Sequence, residues 1–182
     1  MTEDGKTASI RRPDGLKKTA GGGDAGVATI PGWVALPPEF DREAAAMLAD
    51  CPALGSVEAA ATAIAVLRDN PDGELYGWLD GEELVAVYGL RKAGLNYELP
   101  WLAVTPSRRG RRYGRSALVD ALRRCGRKPL TVEADESGKG WFEGIGFRTV
   151  GRRPTGGGFR YRMGWYAPRL PQEAGYGAHG SR

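Results

Sequence analysis

The sequence predicts an α/β (α+β) protein, a mixed sheet flanked by helices. Three observations predict it. Apolar runs of strand length recur along the chain, amphipathic runs at helical spacing lie between them, and strong turn signals separate one from the next: Asn70-Pro71-Asp72-Gly73, Asp80-Gly81 and Gly156-Gly157-Gly158. The predicted order is strand, two helices, a three-strand meander, helix, strand, helix and two closing strands.

Trp33-Val34-Ala35-Leu36 reads as a short first strand. Pro37-Pro38 follows, and Asp41 is placed to cap a helix over Arg42–Ala49. Ser56 is the second candidate cap. Beyond it Val57, Ala60, Ala61, Ile64 and Leu67 form one apolar stripe that ends at the Asn70–Gly73 turn. Leu75–Leu79 and Leu84–Leu90 are predicted as a hairpin around Asp80-Gly81. Leu95–Val104 is the next strand, with Pro100 in its middle removing one ladder donor. Arg111–Cys125 is the main helix, Leu130–Ala134 a strand and Gly138–Glu143 a short helix. Phe147–Val150 and Phe159–Met163 close the sheet. Trp78, Tyr88, Trp101 and Phe147 are expected in the core, where large aromatics most often belong.

The chain of 182 residues suits one domain with tails. Residues 1–30 are rich in Gly, Lys, Arg, Asp and Thr and read as a disordered basic arm. Residues 31–167 form the predicted domain, and residues 168–182 a flexible tail. No run approaches the roughly 18 apolar residues of a membrane span, and the first twelve residues carry no apolar signal region. Cys51 and Cys125 lack metal-ligand spacing, and the single histidine, His179, lies in a Gly-rich tail, so neither a metal centre nor a Cys–His nucleophile is expected. A cytoplasmic location is the default. The net charge of +4 is concentrated locally: between Arg108 and Arg127 eight basic residues face one acid, Asp120. Such a block favours a polyanionic partner, although Arg123, Arg124 and Lys128 read as a solvated helix face.

The most informative stretch runs from Val104 to Leu118. An apolar strand enters it, an amphipathic helix leaves it, and two glycines and five arginines lie between. Glycine lets the backbone approach a ligand closely, and the first N–H groups of a helix have no partner of their own and carry partial positive charge. The arrangement suits phosphate.

Here the chain resembles the GNAT superfamily of N-acetyltransferases. The resemblance rests on Val104-Thr105-Pro106, then Arg109-Gly110-Arg111-Arg112-Tyr113-Gly114, then Ser116-Ala117-Leu118, and on Trp141-Phe142-Glu143-Gly144-Ile145-Gly146-Phe147. It implies a mixed, mostly antiparallel sheet and an acyl-CoA-dependent N-acyltransferase. Acetyl-CoA or another acyl-CoA would be co-substrate, without a metal, and an amine of unknown identity would attack the thioester directly. Two departures stand out: Arg112 replaces the middle glycine of the first motif, and Phe142 replaces a tyrosine that in many members protonates the leaving thiolate.

The resemblance implies that the backbone N–H groups of Gly110, Arg111, Arg112, Tyr113, Gly114 and Arg115 hold the pyrophosphate, with Arg108 and Arg109 near the phosphates. The backbone of Leu102, Ala103 and Val104 would grip the pantetheine, and Phe142 would line the same site. Glu98 is the candidate base, since an even spacing from Val104 puts both on one face of a regular strand unless Pro100 introduces a bulge. Glu133 and Asp135 compete for that role, and Tyr97, Tyr113 or water are the candidate proton donors to the leaving thiolate. A GNAT-fold module that binds or modifies nucleic acid, and a CoA-binding pseudoenzyme, are the alternatives. Homodimerisation is left open.

Overall fold

The computed structural model describes residues 32–167. The arm, the tail and His179 lie outside them. Eight strands make one sheet: β1 (Trp33–Ala35), β2 (Gly73–Asp80), β3 (Glu83–Ala93), β4 (Asn96–Leu99), β5 (Leu102–Val104), β6 (Leu130–Ala134), β7 (Arg148–Thr155) and β8 (Gly158–Trp165). The strand order is β1-β2-β3-β4-β6-β8-β7, with β5 paired to β3. Only the β4–β6 pair is parallel, so the sheet is mixed and mostly antiparallel as predicted.

Four helices flank it: α1 (Asp41–Leu48), α2 (Val57–Asp69), α3 (Tyr113–Cys125) and α4 (Glu136–Glu143). One face of the N-terminal half of the sheet packs on α1 and α2, where Leu48, Ile64, Leu67, Val87 and Ala103 bury together. The other face packs on α3 and α4 through Tyr88, Leu99, Leu118, Leu130, Phe147 and Met163. Each fully buried side chain of this size contributes roughly 1.5–3 kcal/mol. The Trp33 indole donates to the Ser116 hydroxyl at 2.9 Å and ties the first strand to the first turn of α3.

Several boundaries move for local reasons. Asp41 is not a cap. It is the first residue of α1, and its carboxylate instead accepts from Arg68 of α2, with Nε–Oδ2 at 2.9 Å. Ser56 does cap α2, its hydroxyl accepting from Ala59 N–H at 3.1 Å. In the α2 stripe Ala60, Ile64 and Leu67 are buried, whereas Val57 and Ala61 are exposed. α3 starts at Tyr113 and not Arg111, because Arg112 holds a left-handed conformation (φ 68°) that no helix continues. α4 starts earlier, at Glu136, since the Asp135 carboxylate caps it by accepting from Gly138 N–H at 2.8 Å.

Arg124 is not on a solvated face. Its Nε donates to the fully buried Asp120 at 2.7 Å, and its guanidinium lies 3.7 Å over the Tyr76 ring. Asp120 also accepts from the Tyr88 hydroxyl at 2.5 Å. Tyr88 and Phe147 pack in the core as expected, and Trp78 and Trp101 are partly buried against it.

The largest difference lies in the run Leu95–Val104. It is two strands. β4 pairs with β3 and, in parallel, with β6 through Tyr97–Leu130, Glu98–Thr131 and Leu99–Val132. After Pro100, β5 pairs with β3 alone. The sheet therefore splays open between β5 and β6.

Candidate active site at the split in the sheet

The opening is lined from both sides. A cavity of about 300 Å³ is bounded by Cys51, Pro52 and Ala53 from the α1–α2 loop, by Leu99–Leu102 and Val132–Asp135 from the two lips, and by Trp141 and Phe142 from α4. A second cavity shares Ala53, Leu99, Pro100, Trp101, Val132 and Glu133 with it, and adds Arg91, Glu98, Thr131 and Arg162. The two cavities meet where Pro100 breaks the strand.

The backbone at this lip has a definite polarity. Gly89 N–H donates to Trp101 C=O at 3.1 Å, and Thr105 N–H to Val85 C=O at 2.9 Å. In an antiparallel ladder, alternate residues turn their polar groups toward the partner strand. Trp101, Ala103 and Thr105 therefore face β3, while Leu102 and Val104 face the opening. Ala103, expected among the gripping residues, has its backbone committed to Val87. Leu102 C=O accepts from the Cys51 thiol at 3.6 Å, and Val104 C=O from Arg109 Nε at 3.1 Å. Burial pushes the Cys51 thiol up from its ordinary value.

Val104 leads into the Gly/Arg turn. A broad depression here is lined by Val104, Arg108–Gly110, Arg112–Arg115 and Trp141. Gly110 (φ 76°) and Arg112 (φ 68°) are both left-handed. Arg112 is the one non-glycine residue with positive φ among the described residues. The backbone thus turns as a glycine would let it, at a cost of roughly 1–2 kcal/mol for a residue with a Cβ. Arg108 is held by Glu83 at 2.8 Å, and Arg109 by Asp50 at 3.2 Å. Arg112 and Arg115 make no ion pair among the described residues and line the depression. Arg111 does not line it.

The parity argument for Glu98 does not hold. Tyr97 and Leu99 face the α3 side, as do Leu102 and Val104, whereas Trp101 faces the α1–α2 side. The residue at Pro100 shifts the alternation by one, so Glu98 and Val104 lie on opposite faces. Glu98 nevertheless reaches the split, in the second cavity. Its Oε2 accepts from Arg91 Nη2 at 2.6 Å and Nε at 2.9 Å, and its Oε1 lies 4.0 Å from Arg162.

Tyr97 is not brought there. It lies on the opposite face under Lys128, and lines a separate cavity with Tyr76 and Arg124. Glu133 lines both cavities of the split and pairs with Arg153 at 2.9 Å. Asp135 is occupied as a cap, and the Ser137 hydroxyl and Gly138 N–H hold its carboxyl below the usual range. Phe142 lines the first cavity and stacks edge-on with Trp141 and Phe147, at 4.8 and 5.4 Å between centroids.

Sequence reasoning missed Cys51, Trp141, Arg91 and Arg162. Arg91 could have been found: a hairpin turn at Gly94-Leu95 pairs Ala93 with Asn96 and so puts Arg91 opposite Glu98. Cys51 and Arg162 carry no local signal, because only the closed sheet brings them to the split.

No family model matches the sequence, and no curated protein matches it. Solved structures do match. An aminoglycoside 6'-N-acetyltransferase complexed with coenzyme A superposes with a TM-score of 0.65 at 17% identity, covering 76% of this chain and 98% of that one. A histone acetyltransferase HPA2 and related acetyltransferase from Corynebacterium glutamicum gives 0.62 at 18%, covering 76% and 97%. A protein described as an acetyltransferase of the GNAT family, from Desulfovibrio desulfuricans, gives 0.64 at 12%, covering 74% and 97%. The chain has the fold of the GNAT acetyltransferases.

Proposed function

We propose that the protein is an acyl-CoA-dependent N-acyltransferase that passes an acetyl group from acetyl-CoA to an amine by direct attack on the thioester. One observation carries the reading. The split between β5 and β6 presents the backbone of Leu102 and Val104, and it runs without a break into the left-handed turn at Gly110 and Arg112. A strand edge followed by a phosphate-suited turn fits a long donor with amides at one end and phosphates at the other.

In this reading the N–H groups of the turn and of the first residues of α3 hold the pyrophosphate, with Arg112 and Arg115 adding charge. Leu102 and Val104 bind the pantetheine amides, and an N–H of this lip polarises the thioester carbonyl. Glu98, which reaches the split from the opposite face of the sheet, takes the proton from the incoming ammonium, directly or through one water. The amine nitrogen bonds to the acyl carbon and gives up its second proton to solvent, the carbon–sulfur bond breaks, and the electron pair leaves on sulfur. Phe142 has no proton to give, so the departing thiolate takes one from the solvent in the open cavity.

Titration calorimetry with acetyl-CoA and with CoA, at two salt concentrations, tests the reading. Micromolar binding that weakens with salt is expected. Absence of binding to either would overturn it.

A further inference from the structure

The second cavity of the split opens on a face of the sheet that α1 and α2 do not cover. Cross-strand partners share a face, so Arg91, Glu98, Glu133, Arg162, Arg160 and Arg153 form one continuous band there. The two glutamates are already matched: Glu98 by Arg91 at 2.6 Å, and Glu133 by Arg153 at 2.9 Å. Arg162 makes only a 4.0 Å approach to Glu98 Oε1, with its side chain 58% exposed, and Arg160 makes no ion pair among the described residues. Arg160 lies in the first cavity, where its charge helps hold the Asp135 carboxyl down, so one guanidinium, that of Arg162, is left over in the second cavity.

This rests on the acyltransfer reading above and deepens it. We infer that the acceptor is an amine that also carries a carboxylate close to the nitrogen, of the α-amino-acid type. An arginine fork matches a carboxylate through two parallel hydrogen bonds, and Arg162 is free to offer one. The acceptor's ammonium must lie at Glu98, next to the thioester. Because Arg162 sits 4.0 Å from that same carboxylate, an acceptor whose two charges are only one or two carbons apart can meet both groups at once. A polycationic acceptor would face the uncompensated Arg162 and two glutamates that are already paired, and like charges brought together here oppose binding.

The test measures thiol release from acetyl-CoA with a panel of α-amino acids, their decarboxylated amines and a polycationic aminoglycoside. At least one amino acid should exceed its decarboxylated partner by about tenfold or more in kcat/KM, which corresponds to about 1.4 kcal/mol. Arg162→Gln should collapse that ratio to near unity through KM, while Arg162→Lys, which keeps the charge, should restore part of it. Equal or better turnover of the decarboxylated amines or the aminoglycoside, or an undiminished ratio in Arg162→Gln, would overturn the inference and leave acyltransfer standing. If CoA binds but nothing turns over, calorimetry of the CoA-loaded protein with the amino acids decides: no heat overturns the inference. Failure to bind CoA at all would sink the acyltransfer reading itself, and this inference with it.

Discussion

A Cβ added at Gly114 would lie 3.3 Å from the Trp141 ring and 4.0 Å from Leu102. The first turn of α3, the exposed indole on α4 and the lip of β5 therefore converge on one backbone position. Space at Gly114 is what keeps the path open between the Gly/Arg turn and the split. Gly114→Trp should fill that path and lower CoA affinity by more than about tenfold, or 1.4 kcal/mol. The fold should survive, because the added ring enters an open depression and not the core. Calorimetry alongside circular dichroism checks both halves, and an unchanged affinity would remove the turn from the binding site.

Arg112 pays in strain for a left-handed conformation. Arg112→Gly should relieve roughly 1–2 kcal/mol of it, set against roughly 0.4–1 kcal/mol of extra unfolded-state freedom. The net gain is about 0.5–1 kcal/mol, a rise of a few degrees in Tm for a domain of this size. The same variant should bind CoA more weakly and with a shallower salt dependence, since it loses a cation that faces the depression. A variant that is more stable and binds as well as the parent would show that the guanidinium touches no phosphate.

Glu98→Gln keeps the shape of the side chain and removes its capacity to take a proton. Turnover at neutral pH should fall by about 10²–10⁴-fold, the usual contribution of a positioned base. The acid limb of the pH–rate profile should vanish with it. CoA affinity should hold, because Glu98 lies on the face of the sheet opposite Leu102 and Val104. A profile identical to the parent's would transfer the role to Glu133, the other glutamate that lines the split.

The buried groups under α3 should make the protein sensitive to alkali. Burial pushes the Cys125 thiol from 9.0 up to about 12. Burial and the Asp120 carboxylate push the Tyr88 hydroxyl up from 10.0 as well. In each case the unfolded chain gives up its proton first. The stabilisation is complete below pH 9 and is lost as the pH climbs toward the folded values, with a slope of at most about 1.4 kcal/mol per pH unit for each group. Denaturant titrations between pH 8 and pH 11 should show the decline. Cys125→Ala should flatten it below pH 10, and an unaltered slope would exclude the thiol.

Much of the fold was legible because its signals are local. The Ser56 cap, the Asp80-Gly81 hairpin and the periodicity of α3 each specify an element within one window of residues. The turn at Gly110–Gly114 was legible for the same reason. The parts misread depend on partners distant in sequence. Asp41 looks like a cap until Arg68 arrives from α2, and Arg124 looks solvated until Asp120 and Tyr76 enclose it. Pro100 announced an irregularity, yet its effect on Glu98 depends on the side to which the strand resumes. Tyr97 and Glu98 are neighbours in sequence, and the pleat alone sends them to opposite faces of the sheet.

The break at Pro100 has a mechanical side. Within the sheet, β1, β2, β3 and β5 on one flank and β6, β8 and β7 on the other are joined only through β4, and β4 meets β6 at three residue pairs. In the reading proposed above, a donor seated in the split would touch both leaves and act as a clasp across it. Amide protons of Leu99 and Val132 should then exchange more slowly with CoA bound than without it, so that the occupancy of the split could be read from the stiffness of the seam.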